Sequence, residues 1–211
     1  MKKFMWIFSG VFVILFLIWT ILVLKGILMS FDYKIFEVIH QYLLSDFLTS
    51  FFKVITHMGS ALFFVVVTLF IFLFFKNRLI GISLGINIFL VSILNLLLKN
   101  IFLIPRPDTL RLILESGYSY PSGHTMSSFA FYGYLIYLIY KMMRPSIWKK
   151  ILIILLILLI LLIGFSRVYL GVHHFSDILG GYLISFAYLI LFIKLSNKLG
   201  MENFYEVQKR N

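Results

Sequence analysis

Apolar residues fill most of the chain in six runs that short polar stretches separate. The runs cover 4–24, 59–75, 79–98, 125–140, 151–165 and 178–195. Because roughly 20 apolar residues can cross a bilayer as a helix, the pattern predicts six transmembrane helices, the shorter ones extending into the flanking polar stretches. The first run follows two lysines, as in a signal peptide. It is too long for one and lacks a small-residue cleavage site, so we interpret it as a membrane helix.

A different pattern occupies residues 31–56, between the first two runs. Apolar residues recur every four positions from Phe31 to Leu43, which places them on one face of a helix. The polar residues between them are Asp32, Glu37, His40 and Gln41. This predicts an amphipathic helix at the outer membrane interface, with a second such piece over 46–56. A short connector packed on the helix bundle explains the pattern equally well.

The composition agrees with an integral membrane protein of the all-α class. Of the 211 residues, 62% are hydrophobic and 13% are charged, whereas soluble domains carry about 25% charged residues. The membrane helices need nearly the whole chain, so residues 1–211 are expected to form a single domain. The absence of cysteine excludes disulfides and zinc–thiolate sites.

The net charge of +11 would suggest nucleic-acid binding in a soluble protein, but here its distribution indicates topology. With a cytoplasmic N-terminus, the cytoplasmic basic residues are Lys2, Lys3, Lys76, Arg78, Lys141, Arg144, Lys149, Lys150, Lys194, Lys198, Lys209 and Arg210. Only two acids, Glu202 and Glu206, fall on that side. This bias follows the positive-inside rule, so both termini are predicted to be cytoplasmic and no nucleic-acid partner is expected.

Three polar stretches then fall at the outer ends of different helices. The first is 99–107, after the third apolar run; the second is 120–124, before the fourth; the third is 166–177, between the fifth and sixth. Ionisable side chains at the end of a membrane helix are costly unless they have partners or a function. We therefore expect the three stretches to form one functional site on the outer face.

The cations of these stretches, Lys99, Arg106 and Arg167, suit the binding of a phosphoryl group. Phosphoryl transfer places negative charge on three oxygens, which fixed cations and N–H donors stabilise. Ser122 and Gly123 precede a helix, whose N-terminal N–H groups and dipole attract anions. Glycine at this position lets the backbone approach the anion closely.

A nucleophile and an acid are also present. His173 and Asp177 stand four residues apart and share a face if a helix begins near them. The carboxylate can then accept the Nδ1 proton and leave Nε2 free to attack phosphorus. His124, at the start of a neighbouring helix, can protonate the leaving oxygen and then activate water. The adjacent His174 has no assigned task.

Taken singly, these residues have structural explanations. A lone histidine at a helix end is more often structural, a lone lysine or arginine reaches toward the interface, and Asp177 suits an N-cap. A metal site at His173, His174 and Asp177 is disfavoured by Arg167 and by the lack of a third strong ligand nearby in sequence. The joint pattern on one side of the membrane favours catalysis. The following residues are expected to close the intervening loop, with headgroup binding as the alternative: Asp108, Arg111, Glu115, Tyr118 and Tyr120.

The three stretches together resemble the signature of the type 2 phosphatidic acid phosphatase (PAP2) family. The matching parts are Lys99 with six residues to Arg106-Pro107, then Pro121-Ser122-Gly123-His124, then Ser166-Arg167 with five residues to His173 and three more to Asp177. The signature is highly specific, and residues 99–177 fill all its fixed positions in order. The six-helix layout extends the resemblance to nearly the whole chain.

The resemblance implies a lipid phosphatase that needs no metal or cofactor and forms a phosphohistidine. It implies His173 as nucleophile, His124 as acid and base, and Asp177 as the orienting acid. The phosphate-binding residues would be Lys99, Arg106, Ser122, Gly123 and Arg167. The site would open to the outer leaflet of a bacterial plasma membrane. Candidate substrates are undecaprenyl pyrophosphate, phosphatidylglycerophosphate and phosphatidic acid, which the signature does not separate.

Two other functions use the same residues. A lipid phosphotransferase would pass the phosphoryl group to another headgroup instead of water. A non-catalytic membrane protein would bind lipid headgroups without turnover, although the combination of nucleophile, orienting acid and general acid disfavours it. The related vanadate-dependent haloperoxidases have a similar site, but they are soluble, and the membrane composition disfavours that interpretation.

Overall fold

A computed structural model describes residues 2–199, with side chains from residue 5 onward, and this part of the chain is all-α. Its helices are α1 (Lys2–Leu24), α2 (Met29–Leu43), α3 (Asp46–His57), α4 (Ala61–Phe74), α5 (Arg78–Phe102), α6 (Gly123–Met142), α7 (Ile147–Tyr169) and α8 (Phe175–Lys198). The predicted all-α class is confirmed. The following predicted cytoplasmic groups lie outside the described residues: Glu202, Glu206, Lys209, Arg210 and the side chains of Lys2 and Lys3.

The described part of the chain has four helices that are long and apolar enough to cross a membrane: α1, α5, α7 and α8. α3 and α4 pass the same test only as a pair, bent by 53° at the break between them. α4 alone has 14 residues, which is short of the roughly 20 that a span needs. The helices therefore give four spans, or five with the bent pair, and the count of six stays a prediction.

α6 is less apolar than these spans although it has 20 residues. It carries serine, threonine and tyrosine residues, and Thr125, Ser128 and Tyr134 among them are fully buried. α6 packs against α5, α7 and α8. These three polar residues therefore face other helices rather than lipid, which makes the lower hydropathy of α6 compatible with its place in the bundle.

Two buried apolar clusters hold the helices together. The larger lies among α4 to α8 and includes Phe64, Phe131 and Ile163. The smaller includes Ile39 of α2 and Phe52 of α3, which pack against the end of α7 and the start of α8. It therefore seats α2 and α3 at the end of the bundle where the third polar stretch lies.

Serine residues fix where four of the described helices begin. The hydroxyls of Ser45, Ser60, Ser122 and Ser146 accept backbone N–H groups at the starts of α3, α4, α6 and α7. Each such cap satisfies one N–H group that a helix start leaves without a partner. The cap of α6 also fixes the backbone that leads into His124.

α2 departs from the predicted amphipathic pattern at Asp32. The pattern places this residue among the solvent-facing polar ones, yet it is only 5% exposed. Its carboxylate accepts hydrogen bonds from the N–H and hydroxyl of Ser176, at 2.8 and 2.6 Å. Burial is tolerated because the start of α8 offers these donors. The location of α2 at the membrane interface stays a prediction.

Asp32→Ala should destabilise the protein, because it leaves two buried donors of Ser176 without an acceptor. Such unpaired donors cost about 1–3 kcal/mol each. The midpoint of thermal unfolding in detergent, followed by tryptophan fluorescence, should fall clearly. Asp46→Ala, at an exposed acid of α3, is the control and should change the midpoint little. A midpoint of Asp32→Ala equal to that of the wild type would contradict this role.

Candidate active site

The three polar stretches meet at one end of the bundle. The backbone N–H of Ser122 donates to the carbonyl of Asp177 at 3.2 Å, which joins the second stretch to the third. Arg106 Nη1 lies 3.2 Å from His173 Nε2, which joins the first stretch to the third. Residues far apart in sequence thus surround one small region where four helix ends come together.

His173 is held by polar contacts on both sides of its ring. Nδ1 lies 3.2 Å from Asp177 Oδ2 and 3.1 Å from Ser119 Oγ, while Nε2 faces Arg106. A guanidinium only donates hydrogen bonds, so Nε2 must accept. The proton of the neutral ring therefore belongs on Nδ1, where Asp177 can accept it. This tautomer leaves the Nε2 lone pair as the nucleophilic atom.

The Asp177 carboxylate is completely buried. Oδ2 accepts hydrogen bonds from the Ser119 hydroxyl and, at 2.9 Å, from the His174 backbone N–H, in addition to its contact with His173. Oδ1 has no partner within the described part of the chain. The N-cap of α8 is His174, so the interpretation of Asp177 as the N-cap is wrong. Asp177 stands at the third helical position and accepts the N–H of the N-cap residue, as the acid of a capping box does, while it also contacts His173.

The turn between α7 and α8 depends on Gly171. Its φ of +73° lies in the left-handed region, and a Cβ at this position would stand 2.1 Å from the Leu110 carbonyl oxygen. Nearby, the Leu112 N–H donates to the Leu170 carbonyl at 3.0 Å. Glycine thus lets the loop before the second stretch pack on this turn, which brings His173 against the loop.

The Pro-Ser-Gly turn before α6 is held mainly by the protein itself. Ser122 Oγ accepts hydrogen bonds from the Thr125 N–H at 3.4 Å and the Thr125 hydroxyl at 3.0 Å. A Cβ on Gly123 would lie 2.9 Å from Asn95 Oδ1, so glycine allows close contact with α5. Helix capping thus explains part of the role of Ser122, and close packing against α5 explains part of the role of Gly123. Their binding of phosphate stays a prediction.

His124 follows this turn at the same end of the bundle. Its ring lies beside Gly59, where an added Cβ would be 3.2 Å from His124 Cδ2. The charges of Arg167, Arg106 and Lys99 act on the ring. Among the described residues, none forms a hydrogen bond with it. Its ring nitrogens are therefore not held by a structural hydrogen bond within the described part of the chain.

Arg167 is 1% exposed and binds two side chains. Nη1 donates to Thr56 Oγ1 at 2.6 Å and Nη2 to Glu115 Oε1 at 2.5 Å, while Nε has no partner in the described part of the chain. Glu115 Oε2 also lies 3.8 Å from Arg106 Nη2. One carboxylate therefore stands between two of the predicted phosphate-binding residues.

Backbone carbonyls of residues 116–119 bind the other cations. Arg106 donates through Nε and Nη2 to the carbonyls of Ser116 and Gly117, at 2.9 to 3.2 Å. Lys99 donates through Nζ to the next two carbonyls. The loop before the second stretch is thus bound to the predicted phosphate-binding cations as well as packed over them.

The motifs in the sequence do not include three polar residues that the structure brings to the site: Thr56, Asn95 and Ser119. Asn95 donates to the Pro121 carbonyl at 3.0 Å, and the other two contact Arg167 and the His173–Asp177 pair. Thr56 and Asn95 lie outside every motif, so spacing along the chain carries no signal for them. Ser119 directly precedes the second stretch, which is the single hint that the sequence offers.

Burial lowers the pKa of His173 well below its ordinary value, and the positive charges of Arg167, Arg106 and Lys99 lower it further. Both effects act in the same direction because each disfavours the charged ring. His173 is therefore neutral at pH 7, which is the protonation state that a nucleophilic histidine needs.

The donor set does not resemble a metal centre. Within residues 2–199, no three side chains of His, Cys, Asp or Glu come together as metal ligands would. The guanidinium of Arg106 lies 3.2 Å from His173 Nε2, and its positive charge opposes a bound cation there. Independence from metals nevertheless stays a prediction about the reaction.

Sequence comparison relates the chain to membrane phosphatases. The profile of the PAP2 superfamily matches residues 80–201. Phosphatidylglycerophosphatase B of Bacillus subtilis (strain 168) is 33% identical over 142 residues, which cover 65% of this chain and 68% of that protein. Sphingosine-1-phosphate phosphatase 1 of Rattus norvegicus is 32% identical over 160 residues, which cover 73% of this chain but 36% of that protein.

Two solved structures share the fold. A transmembrane PAP2-type phosphatidylglycerolphosphate phosphatase from Bacillus subtilis superposes with a TM-score of 0.82 at 28% identity, covering 90% of this chain and 96% of that one. LpxE of Aquifex aeolicus superposes with a TM-score of 0.61 at 27% identity, covering 77% and 94%. The likeness extends well beyond the three polar stretches, so it includes the helical framework around them.

Ser119→Ala should lower kcat for phosphate release from a lipid phosphate and change KM little. Ser119 contacts His173 and Asp177, so its loss disturbs the orientation of the nucleophile rather than binding. One such hydrogen bond is worth about 1 kcal/mol, or roughly a fivefold to tenfold loss of rate. Steady-state kinetics in detergent separate the two constants, and Ser119→Thr should recover part of kcat. An unchanged kcat contradicts the role, and Ser50→Ala, at an exposed serine of α3, is the control.

The ring of His173 should titrate below about pH 6.5, the value of an ordinary histidine. The pKa is lowered because burial and the nearby cations both favour the neutral form of the ring. NMR titration of protein labelled at the histidine ring nitrogens measures this pKa, and His173→Ala assigns the signal. A titration midpoint at or above the value of an ordinary histidine would contradict the lowered pKa.

Proposed function

Since the chain belongs to the PAP2 superfamily, we propose that it is a membrane lipid phosphatase that works through a phosphohistidine on His173. The observation that carries the proposal is that the two ring nitrogens of His173 have different partners. Asp177 contacts Nδ1, and Nε2 is presented beside Arg106, where a phosphate oxygen would also be attracted. Such an arrangement suits attack on phosphorus better than headgroup binding alone.

In the first step, Nε2 of His173 forms a bond to phosphorus while the bond from phosphorus to the lipid oxygen breaks. His124, which is protonated once the negative charge of the bound phosphate offsets the nearby cations, transfers its proton to the leaving oxygen. The Nδ1 proton remains between the ring and Asp177, whose negative charge stabilises the positive ring that forms. The products of this step are the dephosphorylated lipid and a phosphohistidine.

In the second step, water attacks the phosphohistidine. His124, which has lost its proton, accepts one from the water as the new P–O bond forms. The P–N bond breaks, its electron pair returns to Nε2 of His173, and inorganic phosphate leaves. His124 is thereby protonated again and ready for the next substrate. The two histidines return to their starting states, so no redox partner or cofactor is required.

Charge on the transferred group is stabilised by Lys99, Arg106 and Arg167, with the N-terminus of α6 at Ser122 and Gly123. The support is their placement, since these residues surround His173 from three different parts of the chain. Because three cations and a helix N-terminus already supply positive charge, the proposed chemistry works without a metal ion.

Phosphatidylglycerophosphate is the substrate that we place first. The support is the similarity to phosphatidylglycerophosphatase B, of which the match covers 68%, and to the phosphatidylglycerolphosphate phosphatase structure, of which it covers 96%. Undecaprenyl pyrophosphate and phosphatidic acid are the competing substrates. All three present a terminal phosphate at a membrane surface, where the proposed site would meet it.

We also propose a single six-span domain over residues 1–211 with the site at the outer face of a bacterial plasma membrane. The α3–α4 pair counts as one span, and α6 is a span because it runs among α5, α7 and α8. Lys76 and Arg78 stand at the turn before α5, at the end of that helix opposite the site, as do the basic residues between α6 and α7. By the positive-inside rule that end is cytoplasmic, and α2 then lies at the outer interface.

The purified protein in detergent, with a chelator present, should release phosphate from phosphatidylglycerophosphate with a higher kcat/KM than from the two competing lipids. His173→Ala should reduce the rate at least about a thousandfold, because it removes the nucleophile. Mass spectrometry of rapidly quenched wild-type protein should find the added phosphoryl group on a peptide that contains His173.

His57→Ala, at an exposed histidine that ends α3, is the matched control and should retain most of the activity. Full activity of His173→Ala would rule out the mechanism. A phosphorylated acceptor lipid with little free phosphate would indicate a phosphotransferase, and headgroup binding without turnover would indicate a non-catalytic protein. A requirement for added metal would contradict the proposed source of positive charge.

A further inference from the structure

Glu115 lies on the solvent side of the most buried cation in the site. Its side chain is 28% exposed, whereas that of Arg167 is 1% exposed, and their hydrogen bond is 2.5 Å long. The other oxygen of the same carboxylate lies 3.8 Å from Arg106 Nη2. A phosphate that approaches Arg167 from outside therefore meets Glu115 first.

The carboxylate binds guanidinium N–H groups that a phosphate would use. Arginine binds carboxylates and phosphates with the same planar set of donors, so the two anions exclude each other at a given N–H group. Arg167 gives one N–H of Nη1 to Thr56 and one of Nη2 to Glu115, so Nε is its one nitrogen without a partner in the described part of the chain. Full contact between phosphate and Arg167 thus requires Glu115 to give way.

The residues that follow Glu115 extend this cover. Carbonyls of residues 116–119 accept hydrogen bonds from Lys99 Nζ and from Nε and Nη2 of Arg106, whereas Nη1 of Arg106 donates to the Val172 carbonyl beside His173. Carbonyl oxygens carry only partial charge, and an arriving anion competes with them easily. Glu115 contributes the one full negative charge of the segment 115–119. It is therefore the strongest competitor for the cations in this segment.

We propose that Glu115 is a specificity-determining residue that competes with the substrate phosphate for Arg167 and Arg106. The inference rests on the proposed function, because it assumes that these arginines bind a lipid phosphate. Displacing a carboxylate with a phosphodiester exchanges one negative charge for another, so the electrostatic gain is small. A phosphomonoester carries nearly two negative charges, and a pyrophosphate carries more. Either one therefore displaces Glu115 with a net gain in electrostatic free energy.

The consequence is that a ligand needs more than one negative charge to remain bound in the site. Phosphodiester lipids surround a membrane protein in large excess over any one phosphomonoester. Without an internal competitor, three cations would bind phosphodiester headgroups and leave the site blocked. With Glu115 in place, singly charged headgroups fall below the affinity needed to remain bound. Phosphatidylglycerol, the product of the proposed reaction, belongs to this class and would leave readily.

Glu115→Gln tests the proposal, because it removes the charge and keeps the size of the side chain. Thermal-shift titration of the full-length protein in detergent with inorganic phosphate measures affinity without turnover. The variant should bind phosphate about tenfold more tightly than the wild type, equivalent to about 1.4 kcal/mol. Phosphatidylglycerol in mixed micelles should inhibit lipid phosphate hydrolysis by the variant at about tenfold lower concentration than it inhibits the wild type.

Asp108→Asn is the matched control, since it removes an exposed acid from the same loop. Its phosphate affinity should stay within about twofold of the wild type, which separates local competition from a general change in charge. Glu115→Asp, with a shorter reach, should give an intermediate affinity and replaces Glu115→Gln if that variant does not fold. Unchanged or weaker phosphate binding by the Glu115 variants overturns the inference, even if the wild type hydrolyses lipid phosphate. Tighter binding without hydrolysis by the wild type supports it and counts against the proposed function alone.

Discussion

The hydrogen bonds to the buried carboxylate of Asp177 connect the separate parts of the site. A buried charge is costly unless donors compensate it. The donors come from the loop hydroxyl of Ser119, from the ring of His173 and from the backbone of His174. The backbone carbonyl of Asp177 accepts the N–H of Ser122. Moving the loop or the turn would remove donors from the buried charge, and the carbonyl of the same residue holds the start of α6, so Asp177 connects all three elements.

A second constraint is the mutual repulsion of three cations in a region of low solvent access. Lys99, Arg106 and Arg167 lower the pKa of His173 together, which shows that their fields overlap at one place. Glu115 and the carbonyls that follow it offset this repulsion. The loop before α6 therefore belongs to the electrostatics of the site. The loop also bonds to neighbouring backbone, since the Ser119 N–H donates to the Ile104 carbonyl at 2.8 Å and the Leu112 N–H donates to the Leu170 carbonyl at 3.0 Å.

Local patterns in the sequence predict the helices well and their partners poorly. The apolar runs place most helices, and the spacing of His173 and Asp177 predicts their contact, because helix geometry alone brings residues four apart together. The break between α3 and α4 and the burial of Asp32 depend on packing against other parts of the chain. The role of Ser119 also depends on packing against other parts of the chain. Hydropathy and spacing describe a segment in isolation, and these features arise only when distant segments meet.

The positions of the charges follow from the ends of the helices that carry them. Lys99 and Arg167 lie in the last turns of α5 and α7, where the negative end of each helix dipole favours a cation. Asp177 lies in the first turn of α8, where the positive end favours an anion. These local fields offset part of the cost of burying the three groups. The first turn of α6 carries no acidic residue, so no charged side chain of that turn offsets its positive end. An anion drawn to the cations therefore meets a helix end that also favours it, directly before His124.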